Sequence, residues 1–168
     1  MQNAKATNTF VEMNISPDQV QKLFPLAVNW VQSMERDVLE RGIPLDAAQT
    51  QDARSAGVQN PEKVRILYAS IPFPTDPTLR LAAMEFKLIS PDTAGMTFGH
   101  GIVIGPEFRM DRELIVHELT HTGQYERLGG IAGFLQPYIN ECINPGYPDG
   151  PMEQEARQTA ARIAGNRQ

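Results

Sequence analysis

The chain has a single cysteine, Cys142, among 168 residues. It therefore has no internal disulfide and no CxxC metal clip, and nothing points to an oxidising compartment; Cys142 is expected to be a semi-buried free thiol. Basic residues are scarce: 15 Lys and Arg stand against 20 Asp and Glu, a net charge of −5. With no basic run to track a phosphate backbone, nucleic acid is not an expected partner. Long apolar runs are also missing, and every stretch falls short of the roughly 20 residues a membrane-spanning helix needs. The start, MQNAKATNTFVEMN, lacks the apolar core of a Sec-type signal peptide. A soluble protein is expected, cytoplasmic or exported by a non-Sec route.

What is present is an ordinary globular composition, 41% hydrophobic and 21% charged. The length fits one compact domain over 1–168, with residues 1–15, polar and aperiodic, expected to be flexible. Ser16-Pro17-Asp18 is a helix start, and Val20, Leu23, Ala27, Val31, Met34 and Val38 recur at helical spacing up to Arg41-Gly42. Pro25 is a candidate kink. Residues 46–56 suggest a short helix, and VRILYAS within 63–70 reads as a strand. The stretch 78–88 satisfies neither period cleanly and leans towards helix. Residues 96–104 carry β-branched and aromatic residues between glycines and predict one strand bent at Gly99 or Gly101. Helices are expected over 111–128 and from Pro151 to Ala164-Gly165, separated by a proline-rich loop. This order predicts an α+β fold with a small, mostly antiparallel sheet packed on the 111–128 helix and further helices at both ends.

That helix contains His117-Glu118-Leu119-Thr120-His121, an HExxH sequence. Two imidazoles four residues apart project about 40° from one another on a helix of 100° per residue, which places two zinc ligands in advance. Glu118 can reach an ion's water without being a ligand. With three histidines in the chain, such a motif arises by accident in roughly one chain in 270. Apolar groups on both faces place the helix between two layers, and Gly123 is suited to close approach of a strand.

A third histidine in the HExxHxxGxxH pattern is absent, because Gln124 and Arg127 hold its last positions. The final helix offers Glu153 and Glu155. Glu153 shares a face with Ala156, Ala160 and Ala164 and so points inward, where a charge needs a partner. Glu155 lies with Gln158 and Arg162 on a solvated face. Glu153 is the expected third ligand and Glu141 its rival. His100 is a lesser candidate for metal or substrate, and Glu126 and Glu113 read as solvated.

HELTH followed about thirty residues later by MEQEA resembles the gluzincin zinc metallopeptidases, in which a later helix supplies a glutamate to the two histidines. Their E-x-x-A/S-D pattern aligns with Glu153-Gln154-Glu155-Ala156-Arg157 and also selects Glu153. Arg157 stands where those families usually carry the aspartate that braces the first histidine. The HELTH-x-x-Q-Y run is similar to small bacterial metallopeptidase-like domains over roughly residues 96–160. The resemblance implies a zincin-like fold with the 96–104 strand as cleft edge. It implies a Zn2+ peptidase in which His117, His121 and Glu153 hold the ion and Glu118 acts as general base on a peptide or protein substrate. Tyr147, Tyr138, Tyr125, Arg157 and His100 are candidates to stabilise the oxyanion, with Tyr147 favoured by its loop just before Glu153. The alternative expectation is a zincin-fold binding or effector-associated module with structural metal or none; a third is a helical protein with an accidental motif.

Overall fold

The computed structural model describes residues 16–165, so the flexibility expected of 1–15 lies outside the described residues. The long first helix α1 (Pro17–Arg41) begins where Ser16 and Gln19 exchange side-chain and backbone hydrogen bonds, and it runs unbroken through Pro25 to Gly42. A two-residue strand β1 (Ile43–Pro44) leads to α2 (Ala47–Ser55), capped by Asp46 and Gln49 in the same reciprocal way. After β2 (Arg65–Tyr68), the ambiguous stretch forms α3 (Pro77–Glu85), whose first turn is capped by Asp76.

Residues 96–104 are not one bent strand. They form a hairpin of β3 (Gly95–Phe98) and β4 (Gly101–Ile104), closed by Gly99-His100. Gly99 adopts φ +63°, and a Cβ there would lie 2.2 Å from a Glu35 carboxylate oxygen, so the turn requires glycine. The sheet order is β1-β2-β4-β3, with antiparallel outer pairs and a parallel β2/β4 centre in which Ile66 lies opposite Ile102. Two of the three pairings are antiparallel, as expected, and the sheet is nonetheless mixed because β4, reached through α3 and the β3 hairpin, runs alongside β2 in the same direction.

Both faces of the central strands are covered, which is why Gly101-Ile102-Val103-Ile104 reads as a continuous apolar run. Val103 and Phe98 pack with Val31 and Val38 of α1 on one face. Ile66, Ile102 and Ile104 pack on the other against Ala53 of α2 and against Ile115 and Leu119 of α4 (Arg112–Arg127). The motif helix thus lies on the sheet as expected. Gly123 admits not a strand but the C-terminal turn of α2: a Cβ would sit 3.1 Å from the Gly57 backbone.

Beyond α4 the expected loop is largely helical. α5 (Ile131–Glu141) contains Pro137, and α6 (Pro151–Ala164) packs along α4 through Val116, Ala160 and Ile163. Among the described residues no helix is long and apolar enough to cross a membrane.

Candidate metal centre

Two elements deliver the three expected ligands to one point. Helix α4 presents His117 and His121 from adjacent turns, and the first turn of α6 brings in Glu153. The Nε2 atoms of the two imidazoles are 3.1 Å apart; His121 Nε2 lies 3.1 Å from Glu153 Oε1 and His117 Nε2 lies 3.2 Å from Glu153 Oε2. Donor atoms at about 2.0–2.1 Å around a tetrahedral ion are separated by about 3.3 Å, so this spacing is close to that of three corners of a zinc site. One ligand atom from each residue falls within a 4.8 Å cluster, so the three side chains could hold a metal ion.

The surrounding hydrogen bonds decide which ring nitrogen faces that point. Gln124 Nε2 donates to the Met152 carbonyl and to Glu155 Oε2, each at 3.0 Å, and both partners accept only. The Gln124 amide is thereby oriented with Oε1 2.8 Å from His121 Nδ1, which must donate. A neutral His121 ring then carries a lone pair on Nε2, directed at His117 and at a carboxylate. The two acceptors so defined, His121 Nε2 and the Glu153 carboxylate, need a cation or a proton between them. Burial works against a charged His121, but the Glu153 carboxylate outweighs it and pushes the imidazole up to about 9. Glu153 is held well below the usual carboxylate range: burial opposes this, and hydrogen bonds from His117, His121 and Tyr138 prevail. Tyr138 Oη donates to Glu153 Oε1 at 2.7 Å.

Glu118 is buried beside this cluster and is not part of it. The Thr97 hydroxyl donates to its Oε2 at 2.6 Å, and Gly95 on the same face of β3 leaves it room, since a Cβ there would come within 3.0 Å of Glu118 Cγ and Oε1. The edge strand β3, not the whole 96–104 segment, borders the cleft. The cleft encloses about 120 Å³ and has mostly apolar walls, including Trp30, Val31, Leu79, Met96 and Phe134, with His117, Glu118, His121 and Glu153 on one side.

The remaining candidates divide clearly. Tyr147 is half-exposed and borders the cleft; burial, with the charges of Glu153 and Glu118, pushes its phenol up to about 12. Tyr125 is buried in the core and directs its hydroxyl to the Thr97 carbonyl, so it is not free for an oxyanion. Arg157 turns away to the Pro148 carbonyl. Glu141 is no ligand: its Oε2 accepts the Met152 backbone N–H at 2.8 Å, capping α6. Glu155 keeps the solvent-facing position expected of it, its side chain 42% accessible, and is joined there to Gln124 and Arg127. His100 lies in the hairpin turn against Glu126, whose side chain is only 7% exposed and so is not the solvated residue expected. Cys142 is a buried free thiol, and burial foremost pushes it up to about 12.

Sequence reasoning missed Gln124, Thr97 and Gly95. Gln124 left a signal, because it falls only about 20° from His117 on a helical wheel. Thr97 and Gly95 left none, since their role depends on β3 packing across α4. In comparison with known proteins, no family model, no curated protein and no solved structure matches the chain.

Proposed function

We propose that the chain is a zinc-dependent metallopeptidase of zincin-like, gluzincin type that hydrolyses peptide bonds in the cleft beside β3, with His117, His121 and Glu153 holding the ion. The observation that carries this reading is the convergence of two imidazole nitrogens and two carboxylate oxygens at 3.1–3.2 Å, next to a buried carboxylate that is not one of them. Zinc bound there would polarise a scissile carbonyl and acidify a water towards neutrality.

The chain's own residues supply the rest. Glu118 takes a proton from water and passes it to the leaving amine. Thr97 occupies Oε2, and the proton is carried on Oε1 beside Gly95. Tyr147, a neutral phenol at physiological pH, donates to the oxyanion. The outer edge of β3 offers backbone groups to an extended peptide by strand addition. Three ligand residues facing a cleft, with no fourth beside them among the described residues, favour a catalytic site over a structural one, which a fourth residue would close.

Replacing Glu118 by Gln tests the assignment. Cleavage of a diverse peptide library is expected to fall at least ~100-fold while one zinc per chain is retained. Stoichiometric zinc in a wild-type protein that cleaves no member of the library would instead favour a binding module.

A further inference from the structure

We infer that Gln124 is the positioning residue of the metal centre, fixing the ligand tautomer of His121 and the backbone that carries Glu153 with one buried amide. The inference rests on the metal-binding part of the proposed function and not on peptide cleavage.

Gln124 is fully buried, where an unpaired amide would be costly. Both its amide hydrogens and its oxygen are engaged: Oε1 with His121 Nδ1, and Nε2 with the Met152 carbonyl and Glu155 Oε2. Rotating the amide by half a turn would set its oxygen against two acceptors, so its orientation is determined by its partners. Glu155 is in turn held by Arg127 at 2.9 Å. The ring of His121 consequently presents its lone pair at Nε2, the nitrogen that faces Glu153 and His117.

Met152 immediately precedes Glu153. Its carbonyl is held by Gln124 and its N–H by Glu141. Both polar groups of this residue are therefore pinned, one from α4 and one from the end of α5, just before the ligand. Gln124 thus holds one ligand directly, His121, and reaches a second, Glu153, through the carbonyl of the preceding Met152. It also answers the departure at Arg157: the brace is on the second histidine, and it comes from within the motif helix. Because the brace is an amide and not a carboxylate, it fixes the ring without adding negative charge to a cluster that already contains Glu153.

The test measures zinc affinity by competition with a chromophoric chelator, and follows the His121 ring by ¹⁵N NMR of zinc-loaded protein. In the wild type, zinc is expected on Nε2 with a slowly exchanging Nδ1–H; coordination through Nδ1 would overturn the inference without recourse to any variant. Gln124→Leu should lower zinc affinity by about 10–100-fold and expose the Nδ1–H to exchange. Gln124→Glu, which keeps the acceptor for His121 but sets its second oxygen against the Met152 carbonyl and Glu155, should protect the Nδ1–H again while recovering only part of the zinc affinity. A Gln124→Leu protein that melts earlier yet binds zinc as tightly as wild type, with an unchanged His121 spectrum, would reduce Gln124 to a packing residue and defeat the inference. Wild-type protein that takes up no stoichiometric zinc would defeat the metal reading and this inference together, whereas tight zinc binding without cleavage would remove only the peptidase.

Discussion

Two parts of the molecule place histidine beside glutamate, with opposite physical outcomes. At the hairpin turn, Glu126 accepts from Gln59 N (2.6 Å), Asn60 N (3.1 Å), Asn60 Nδ2 (3.0 Å) and His100 Nε2 (2.8 Å), and Glu35 accepts from the His100 backbone at 2.9 Å. Donors meet acceptors there. Burial alone would push the Glu126 carboxyl up, but these bonds hold it below its ordinary value. The cluster joins α1, the β3–β4 turn, α4 and the 59–60 loop, and its chemistry is complete. Around Glu153, the donor from outside the cluster among the described residues is Tyr138, and a neutral His121, whose proton Gln124 holds on Nδ1, turns Nε2 to Glu153 as a second acceptor that needs a proton or a cation between them. Residue types do not distinguish the two clusters. The balance of donors to acceptors does.

The largest expected effect tests that contrast head-on. His121→Ala should reduce bound zinc from one per chain to none, with affinity lost beyond the ~100-fold attributable to a supporting residue. His100→Ala should leave stoichiometry at one, as measured by elemental analysis after reconstitution. Equal zinc loss in both variants would erase the distinction. Next in size is Glu126→Gln, which leaves buried donors poorly matched and should cost about 1–3 kcal/mol, or several degrees in Tm, without altering zinc content. Its pH dependence has a definite sign. A carboxyl depressed in the folded state contributes stability that is present above its unfolded value, near 4.5, and is lost as pH falls through the folded value. The stability gap between wild type and Glu126→Gln should therefore narrow in acid; a gap that widened would contradict the hydrogen-bond account.

How far each region could be read from the chain follows the same division between local and distant causes. The two histidines and Glu118 are legible because one helical period places them, and Glu153 because the alanines at 156, 160 and 164 mark an inward face. Helix α5 was not, since Pro137 removes a backbone donor in its middle and Gly133 weakens it further. The structure supplies the compensation. Phe134 stacks on Tyr125 at 3.8 Å and on Tyr138 at 4.9 Å, and Gly133 is needed because a Cβ would lie 1.9 Å from the Leu128 carbonyl oxygen. Glu126 was misread for a related reason: its partners at 59 and 60 are more than sixty residues away, and nothing local announces them. The mixed sheet likewise depends on how the segment carrying α3 returns, which strand patterns do not encode.

The smallest effect sharpens the comparison inside the cleft. Glu126 is saturated by four donors and is fixed as a structural acceptor, whereas the side-chain donor to Glu118 is the Thr97 hydroxyl, whose one hydrogen is also within reach of the Glu118 carbonyl oxygen at 3.0 Å. One donor is enough to hold the rotamer and leaves the carboxylate able to accept a proton, which a base must do and a saturated carboxylate does poorly. Thr97→Val keeps the shape of the β3 side chain and removes that hydrogen bond. With a hydrogen bond to a charged group worth about 1.5–3 kcal/mol, even the lower figure corresponds to roughly tenfold in rate. The expected result is a fall in kcat of about that size, with KM and zinc content unchanged and with Thr97→Ser restoring most of the loss. A change in KM alone would assign Thr97 to peptide binding along the strand edge, and an unchanged kcat would show that Glu118 is positioned by packing against Gly95 without help from the hydroxyl.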